Sequence, residues 1–210
     1  MIPLPILFET TIPVVASEEP IATDLHLWKD RTSPVLFVVG LSGSGKTTLT
    51  KMLMKPDVKV IHLDNFFIET CEEYGVNAWD PKETDKLDKV FWSKYFNKLL
   101  KTVYDAASGK LGKRVIIEGI QPVDIWSIEG EEKMMKFFSK YPFIFMNTSL
   151  IMSTIRSAQR ESKDPHIKKS IIWHAYDRLR INLNLKRRID KFRKERIKLS
   201  DDVVVVKVVQ

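Results

Sequence analysis

Cysteine is almost absent from this sequence: Cys71 is the only one among 210 residues. No intrachain disulfide can form, which excludes a small disulfide-stapled scaffold. The four histidines, His26, His62, His166 and His174, are scattered and lack the spacing of a zinc site. These absences favour a reducing compartment, and we predict a cytoplasmic protein.

Long apolar runs are also missing. No segment approaches the roughly 18 to 20 apolar residues that a membrane helix needs, and no basic leader precedes an apolar block at the N-terminus. We therefore expect neither a membrane span nor a secretory leader. Apolar residues still make up 44% of the chain, enough for one buried core in a single domain.

Acidic residues are outnumbered, with 27 Asp and Glu against 34 Lys and Arg, which gives a net charge of +7. Such a charge attracts phosphates, nucleotides or nucleic acid through long-range electrostatics. The charge alone does not choose among these partners.

Regular patterning is weak before residue 34. Four prolines interrupt this stretch, Pro3, Pro5, Pro13 and Pro20, and a fifth, Pro34, follows at its end. Because proline breaks helices and is tolerated at sheet edges, residues 1–33 are predicted to be an extended arm or an edge strand. The compact domain is predicted to span 34–210.

From residue 35 onward, apolar runs alternate with stretches of helical periodicity. Predicted strands are Val35–Val39, Val58–Leu63, Arg114–Ile117, Phe143–Met146 and Val203–Val209. Predicted helices cover about 46–54, 84–107, 131–139, 149–161 and 169–196. Strands that are apolar on both faces and alternate with helices are typical of a doubly wound α/β fold with a parallel sheet.

The first strand runs into the segment GLSGSGKT, residues 40–47, which fits G-x-x-x-x-G-K-[ST] in full. Its glycines let backbone N–H groups turn inward around phosphate oxygens, and the next helix adds its positive end. The alternative is a purely structural glycine-rich turn. The predicted nucleotide-binding residues are Gly40, Ser42, Gly43, Ser44, Gly45, Lys46, Thr47 and Thr48.

Within this loop, Lys46 is expected to bridge the terminal phosphates, and the Thr47 hydroxyl is expected to coordinate Mg²⁺. The pattern therefore predicts ATP or GTP together with Mg²⁺, and a P-loop phosphotransferase.

Two acids follow strands that end at the same predicted edge of the sheet. Asp64 follows Val58–Leu63 and could accept or position the proton of an attacking hydroxyl; alternatively it caps the next turn. Glu118 ends the apolar run before Gly119 and could hold Mg²⁺ or orient the substrate. The alternative for Glu118 is a solvated loop acid.

These pieces occur in the order GLSGSGKTT, VIHLDNFF, NAWDPKETDKLD and VIIEG. In this order they resemble the uridine kinase and nicotinamide riboside kinase group of P-loop kinases over about residues 35 to 120. The resemblance implies a five-stranded parallel sheet with helices on both faces. It also implies that Asp64 is the catalytic acid, that Glu118 lies near the metal, and that Asp80 hydrogen-bonds sugar hydroxyls.

Further residues could contact the acceptor or the transferred group. Phe66 and Trp79 are the aromatic residues that could stack on a base. Arg156 and Arg160 are four residues apart, so both should project from one helix face and could close over the phosphoryl group as a lid at about 156–168. The alternative for the arginine pair is a solvated basic face.

Eight cations fall within residues 186–198. A charged surface helix is the default interpretation, and a contact with nucleic acid is the sharper one, since clustered cations neutralise phosphates. We predict a kinase that phosphorylates a hydroxyl of a nucleoside-like small molecule. The alternatives are a kinase acting on a hydroxyl in nucleic acid, such as a hydroxymethylated base or a strand end, and a non-catalytic nucleotide-binding module.

Overall fold

A six-stranded, wholly parallel β-sheet forms the centre of the fold. The computed structural model describes residues 9–13, 33–78, 81–161, 171–199 and 203–209. The strands are β1 (Glu9–Pro13), β2 (Val35–Val39), β3 (Val58–His62), β4 (Arg114–Glu118), β5 (Phe143–Asn147) and β6 (Val203–Val209). Their spatial order is β1-β6-β5-β2-β4-β3, which places β2 and its loop in the middle of the sheet.

All five predicted strands are present, with ends that differ by at most one residue from the prediction. The sheet has one strand more than the resemblance implies, because β1 pairs in parallel with β6 at the edge, Glu9 opposite Val205. The structure describes only 9–13 and residue 33 of the predicted arm, and the boundary at residue 33 remains a prediction.

Eight helices lie in the described part of the chain. They are α1 (Lys46–Leu53), α2 (Asp64–Glu73), α3 (Pro81–Thr84), α4 (Lys89–Ala107), α5 (Gln121–Glu129), α6 (Glu131–Phe138), α7 (Leu150–Glu161) and α8 (Ile171–Leu199). None of them has a stretch long and apolar enough to cross a bilayer.

The helix predictions need correction. The predicted helix 84–107 is interrupted, because Asp88 is extended and accepts a hydrogen bond from the Phe91 N–H, which starts α4 at Lys89. Helices α2, α3 and α5 were not predicted. Helix α2 follows β3 after a single residue and begins with the polar residues Asp64 and Asn65, so the sequence shows no apolar helical period at its start.

The sheet buries both of its faces. Alternate residues of β2 belong to two separate apolar clusters, with Phe37 in the larger and Leu36 in the smaller. Helix α4 contributes Phe91 and Leu99 to the larger cluster, and α1 contributes Leu49 to the smaller. Helices therefore cover both faces, as a doubly wound parallel sheet requires.

Candidate active site

The candidate site lies where the central strands end. Because the strands are parallel, their carboxyl ends share one edge of the sheet, where ligands bind in open α/β folds. Glu118, the last residue of β4, pairs in register with Val38 of β2 on one side and His62 of β3 on the other. The loop after β2, Asp64 after β3 and Glu118 are thereby brought to one place.

The phosphate loop has the backbone that its sequence predicts. Gly45 precedes α1 with φ 89°, a left-handed conformation that favours glycine. As a glycine it offers no side-chain cap, so the first-turn N–H groups of α1 are open to an anion. Gly40 is required for a different reason, since a Cβ there would lie 2.7 Å from Met146 Cβ and from Ser44 Oγ.

Lys46 is buried, with 7% of its surface exposed, and its Nζ donates to the carbonyl oxygens of Gly40 and Leu41, both at 3.0 Å. Burial lowers the pKa of the Lys46 ammonium, while the carboxylates of Asp64 and Glu118 act in the opposite direction. Arg160 adds to the lowering. The loop lysine therefore lies within the electrostatic reach of both predicted acids and of one predicted lid arginine.

Glu118 is 5% exposed, and three side chains contact its carboxylate. Thr47 Oγ1 donates to its Oε1 at 2.7 Å, Thr50 Oγ1 donates to its Oε2 at 2.9 Å, and His62 Nδ1 lies 3.1 Å from Oε2. The buried carboxylate is thus paired, which excludes the alternative of a solvated loop acid. The sequence analysis did not identify Thr50 or His62 as part of this cluster.

The Thr47 hydroxyl and the Glu118 carboxylate are hard oxygen donors side by side, the kind that Mg²⁺ prefers. Among the described residues, no three His, Cys, Asp or Glu side chains form a cluster suited to a metal ion. Mg²⁺ commonly keeps several waters and is shared with substrate phosphates, so two protein groups fit such a site. Whether they hold Mg²⁺ stays a prediction.

Asp64 is the first residue of α2 and is exposed. Its Oδ1 accepts a hydrogen bond of 2.8 Å from Gln121 Nε2, across 57 residues of sequence. The N-cap of α2 is Leu63, and the helix start has no side-chain cap hydrogen bond. The structure therefore does not support the alternative that Asp64 caps the turn. Gln121 is a site residue that the sequence analysis missed.

Helix α7 braces the phosphate loop. Ser153 Oγ donates to the carbonyl oxygen of Ser42, and the hydroxyls of Ser42 and Ser157 are 3.0 Å apart. From the end of β5, Thr148 Oγ1 donates to the carbonyl oxygen of Ser44 at 3.0 Å. The serines were missed, although Ser153 and Ser157 have the same four-residue spacing as the arginine pair and lie on a neighbouring part of the helix face.

Both predicted lid arginines lie on α7, on the side that contacts the loop. Arg160 Nη2 donates to Ser42 Oγ at 3.0 Å. Arg156 lies beside Gly43, whose added Cβ would come within 3.2 Å of Arg156 Cβ. The predicted lid at 156–168 is described only up to Glu161, the last residue of α7, and its remainder lies outside the described residues.

The structure describes only some of the residues predicted to contact the phosphoryl acceptor. Trp79 and Asp80 lie outside the described residues. Phe66 is partly buried against the larger cluster, and the ammonium of Lys98 lies 5.2 Å from its ring centroid. These contacts account for Phe66 without a ligand, and its role in base stacking stays a prediction.

Most cations of the basic stretch 186–198 are engaged within the molecule. Five form ion pairs with acids of α8 itself or of α5 and α6: Lys186, Arg188, Lys191, Arg193 and Lys198. A sixth, Arg196, is buried and donates to the carbonyl oxygens of Ser139 and Tyr141. Burial lowers the pKa of Arg196 to about 10. Within the described chain, only Arg187 and Lys194 of this stretch show no such contact, so the pattern favours the charged surface helix.

No protein-family profile and no curated protein sequence matches the chain. Solved structures do match. TT1252 from Thermus thermophilus has a TM-score of 0.50 at 14% identity, over 86% of this chain and 91% of that one. A shikimate kinase from Acinetobacter baumannii has a TM-score of 0.48 at 16% identity, over 85% and 84%. A gluconokinase from Sinorhizobium meliloti 1021 has a TM-score of 0.46 at 15% identity, over 86% and 85%.

At such identities a structural likeness extends to the fold and not to the activity. The resemblance to the uridine kinase and nicotinamide riboside kinase group rests on the motifs alone and stays a prediction. The fold itself is established by the parallel sheet, the glycine loop after its central strand and the helices on both faces. The chain has the three-layer α/β fold of the P-loop NTPases.

Proposed function

We propose that the protein is an ATP-dependent kinase that transfers the γ-phosphoryl group to a hydroxyl of a nucleoside-like small molecule. The observation that carries the proposal is the meeting of opposite charges at the loop. The Lys46 ammonium lies under the influence of Asp64, Glu118 and Arg160 together.

Phosphate binding falls to the loop and to the first turn of α1. Their N–H groups surround the phosphate oxygens, and Lys46 exchanges its bonds with the carbonyls of Gly40 and Leu41 for the terminal phosphates. Because the ammonium is already buried, little water must be removed before it contacts the charge that develops during transfer.

Thr47 and Glu118 are the residues that would hold Mg²⁺, which when bound neutralises charge on the β- and γ-phosphates. Glu118 is fixed by Thr50 and His62. Its carboxylate therefore needs no reorganisation to face a cation or the water shell of a cation.

In the proposed reaction, Asp64 accepts the proton of the acceptor hydroxyl. The freed oxygen attacks the γ-phosphorus, the bond from that phosphorus to the β-γ bridging oxygen breaks, and ADP leaves with the bond's electron pair. Arg160 and Arg156 lie on the helix that contacts the loop, where two guanidinium groups stabilise charge on the transferred group.

A polymeric acceptor is less well supported, since six of the eight cations in 186–198 have contacts within the molecule. The small-molecule reading draws further support from the resemblance, which implies that Asp80 binds sugar hydroxyls.

The proposal is tested by following ADP formation from MgATP with a panel of nucleosides, nicotinamide riboside and duplex DNA containing hydroxymethylated bases. We expect turnover with a nucleoside-like compound. Asp64→Asn should retain MgATP binding but lose transfer by about 10²-fold or more, because the proton acceptor is gone. Lys46→Ala should lose nucleotide binding.

Turnover on DNA alone, weakening steeply with salt, would contradict the small-molecule proposal. Tight MgATP binding with no turnover on any acceptor would favour the non-catalytic module. Unchanged transfer by the Asp64→Asn protein would remove Asp64 from catalysis.

A further inference from the structure

We propose that Gln121 is the positioning residue for Asp64, holding one carboxylate oxygen so that the other can accept the proton of the acceptor. This inference rests on the proposed function, since it assigns Gln121 a part in the same transfer. Neither the phosphate-loop pattern nor the motifs that carry the family resemblance include residue 121.

The contact joins two segments that meet only in the folded chain. Asp64 opens α2 after β3, and Gln121 opens α5 after β4, the neighbouring strand. The donor Gln121 Nε2 lies 2.8 Å from Asp64 Oδ1. Gln121 is 5% exposed whereas Asp64 is exposed, so a fixed side chain holds one that solvent would otherwise leave free to rotate.

The orientation of the Gln121 amide follows from its partner. If the amide were turned over, its carbonyl oxygen would face the Asp64 carboxylate and two acceptors would meet without a proton between them. In the orientation observed, the Oε1 atom of Gln121 is buried and has no hydrogen-bond partner in the described part of the chain.

That unpaired oxygen argues for a function. A buried carbonyl without a partner costs on the order of 1–3 kcal/mol, a cost that a methionine or leucine side chain would avoid. The amide nitrogen contacts Asp64, and the Gln121 side chain also interacts with the buried Tyr95 hydroxyl, so a second residue helps to hold the side chain in place.

Gly119 makes room for this arrangement. A Cβ at residue 119 would lie 2.2 Å from Gln121 Oε1 and 3.1 Å from Leu63 Cβ, and φ at Gly119 is 152°. The glycine between Glu118 and the start of α5 thus lets the amide lie against the backbone, next to Leu63, the residue before Asp64.

The consequence for the reaction is an ordered proton acceptor. With Oδ1 engaged by Gln121, the Oδ2 atom of Asp64 is left to meet the acceptor hydroxyl. Restricting the carboxylate before the substrate arrives removes part of the entropic cost of alignment, and small misplacements of reacting groups are costly to rate.

A double-mutant cycle tests whether Gln121 acts through Asp64. Gln121→Met keeps a side chain of similar length without the donor, and it is made in the wild-type protein and in Asp64→Ala. With MgATP and the panel nucleoside that turns over fastest, we expect kcat to fall about tenfold in the wild-type background, with KM for MgATP unchanged. In the Asp64→Ala background, the same substitution should have no further effect.

An equal loss in both backgrounds would overturn the inference, because Gln121 would then act independently of Asp64. The inference would also be overturned if Gln121→Met lowered the melting temperature enough to explain the lost activity, and if a stabilising salt restored both the melting temperature and the activity.

A structural readout separates this inference from the proposed function. Crystal structures of the unliganded wild-type and Gln121→Met proteins should show Asp64 in one rotamer in the former and in several in the latter. A single Asp64 rotamer in the Gln121→Met protein would overturn the positioning role even if the kinase activity is confirmed. Loss of that order without turnover on any acceptor would support the positioning role and contradict the kinase.

Discussion

Glu118 shows at the level of one residue how this site is organised. Its carboxylate is nearly inaccessible to solvent yet is contacted by Thr47, Thr50 and His62. A buried charge is retained at such a cost only where cations or strong donors face it. The contacts seen here satisfy the carboxylate and leave it adjacent to the phosphate loop.

Replacing this charge should therefore change the dependence on magnesium. We expect Glu118→Gln to raise the Mg²⁺ concentration needed for half-maximal activity by about tenfold or more, because groups that orient metal ligands typically contribute that much. Titration of ATP turnover with MgCl₂ measures it. Glu131→Gln is the matched control, since Glu131 is about half exposed and forms a surface ion pair with Lys191. The same magnesium requirement in both variants would argue against a metal role for Glu118.

The residues of the site differ in how far sequence could predict them. The phosphate loop is a local pattern, so its glycines, Lys46 and Thr47 are recognisable from spacing alone. Asp64 and Glu118 are recognisable because each follows an apolar strand. Gln121 is not, since its significance depends on a contact with a residue 57 positions away and no local periodicity records that contact.

At the level of elements, the packing of α7 against the phosphate loop should depend on Gly43. Its φ is 75°, and a Cβ there would lie 2.5 Å from the carbonyl oxygen of Ser153 and 3.1 Å from the Ser157 nitrogen. Gly75 has a similar φ of 66° with nothing within 4 Å of an added Cβ. The two glycines thus share the backbone requirement but differ in their surroundings.

We expect Gly75→Ala to cost about 1 kcal/mol of stability through backbone strain alone. Gly43→Ala should cost clearly more and should also weaken MgATP binding, because α7 must move away from the loop. Thermal unfolding and calorimetric titration of both variants measure these effects. Equal losses in the two proteins would show that α7 is not packed as described.

Strand β1 should protect the edge of the sheet. It pairs along its whole length with β6, whose sequence VVVVKVV would otherwise present an apolar edge. We expect removal of residues 1–13 to lower the melting temperature by about 5 °C and to promote aggregation. Thermal unfolding and light scattering measure this. A shortened protein with unchanged melting temperature and no aggregation would contradict the protective role.

The elements also show where prediction from sequence failed. Helix α5 has apolar residues on most of its faces, with Val123, Ile125 and Trp126 all buried, so it lacks a clear helical period. The one available signal was Pro122 near its start, a position that proline favours. The five predicted strands were found because buried parallel strands are continuous apolar runs, which sequence shows directly.

At the scale of the whole molecule, the net charge of +7 produces a long-range electrostatic field that attracts anions. Most cations of residues 186–198 have contacts within the molecule, while Arg156, Arg160 and Lys46 lie beside the phosphate loop. These cations meet the carboxylates of Asp64 and Glu118 at the loop that follows the central strand β2.

Calorimetric titration of the full-length protein with MgATP, or with a non-hydrolysable analogue, tests this account most directly. The account predicts saturable binding at a single site, and loss of that binding by about 10²-fold or more in Lys46→Ala because a buried cation that contacts phosphate is removed. Absence of heat with the wild-type protein, or equal affinity of the Lys46→Ala protein, would contradict it.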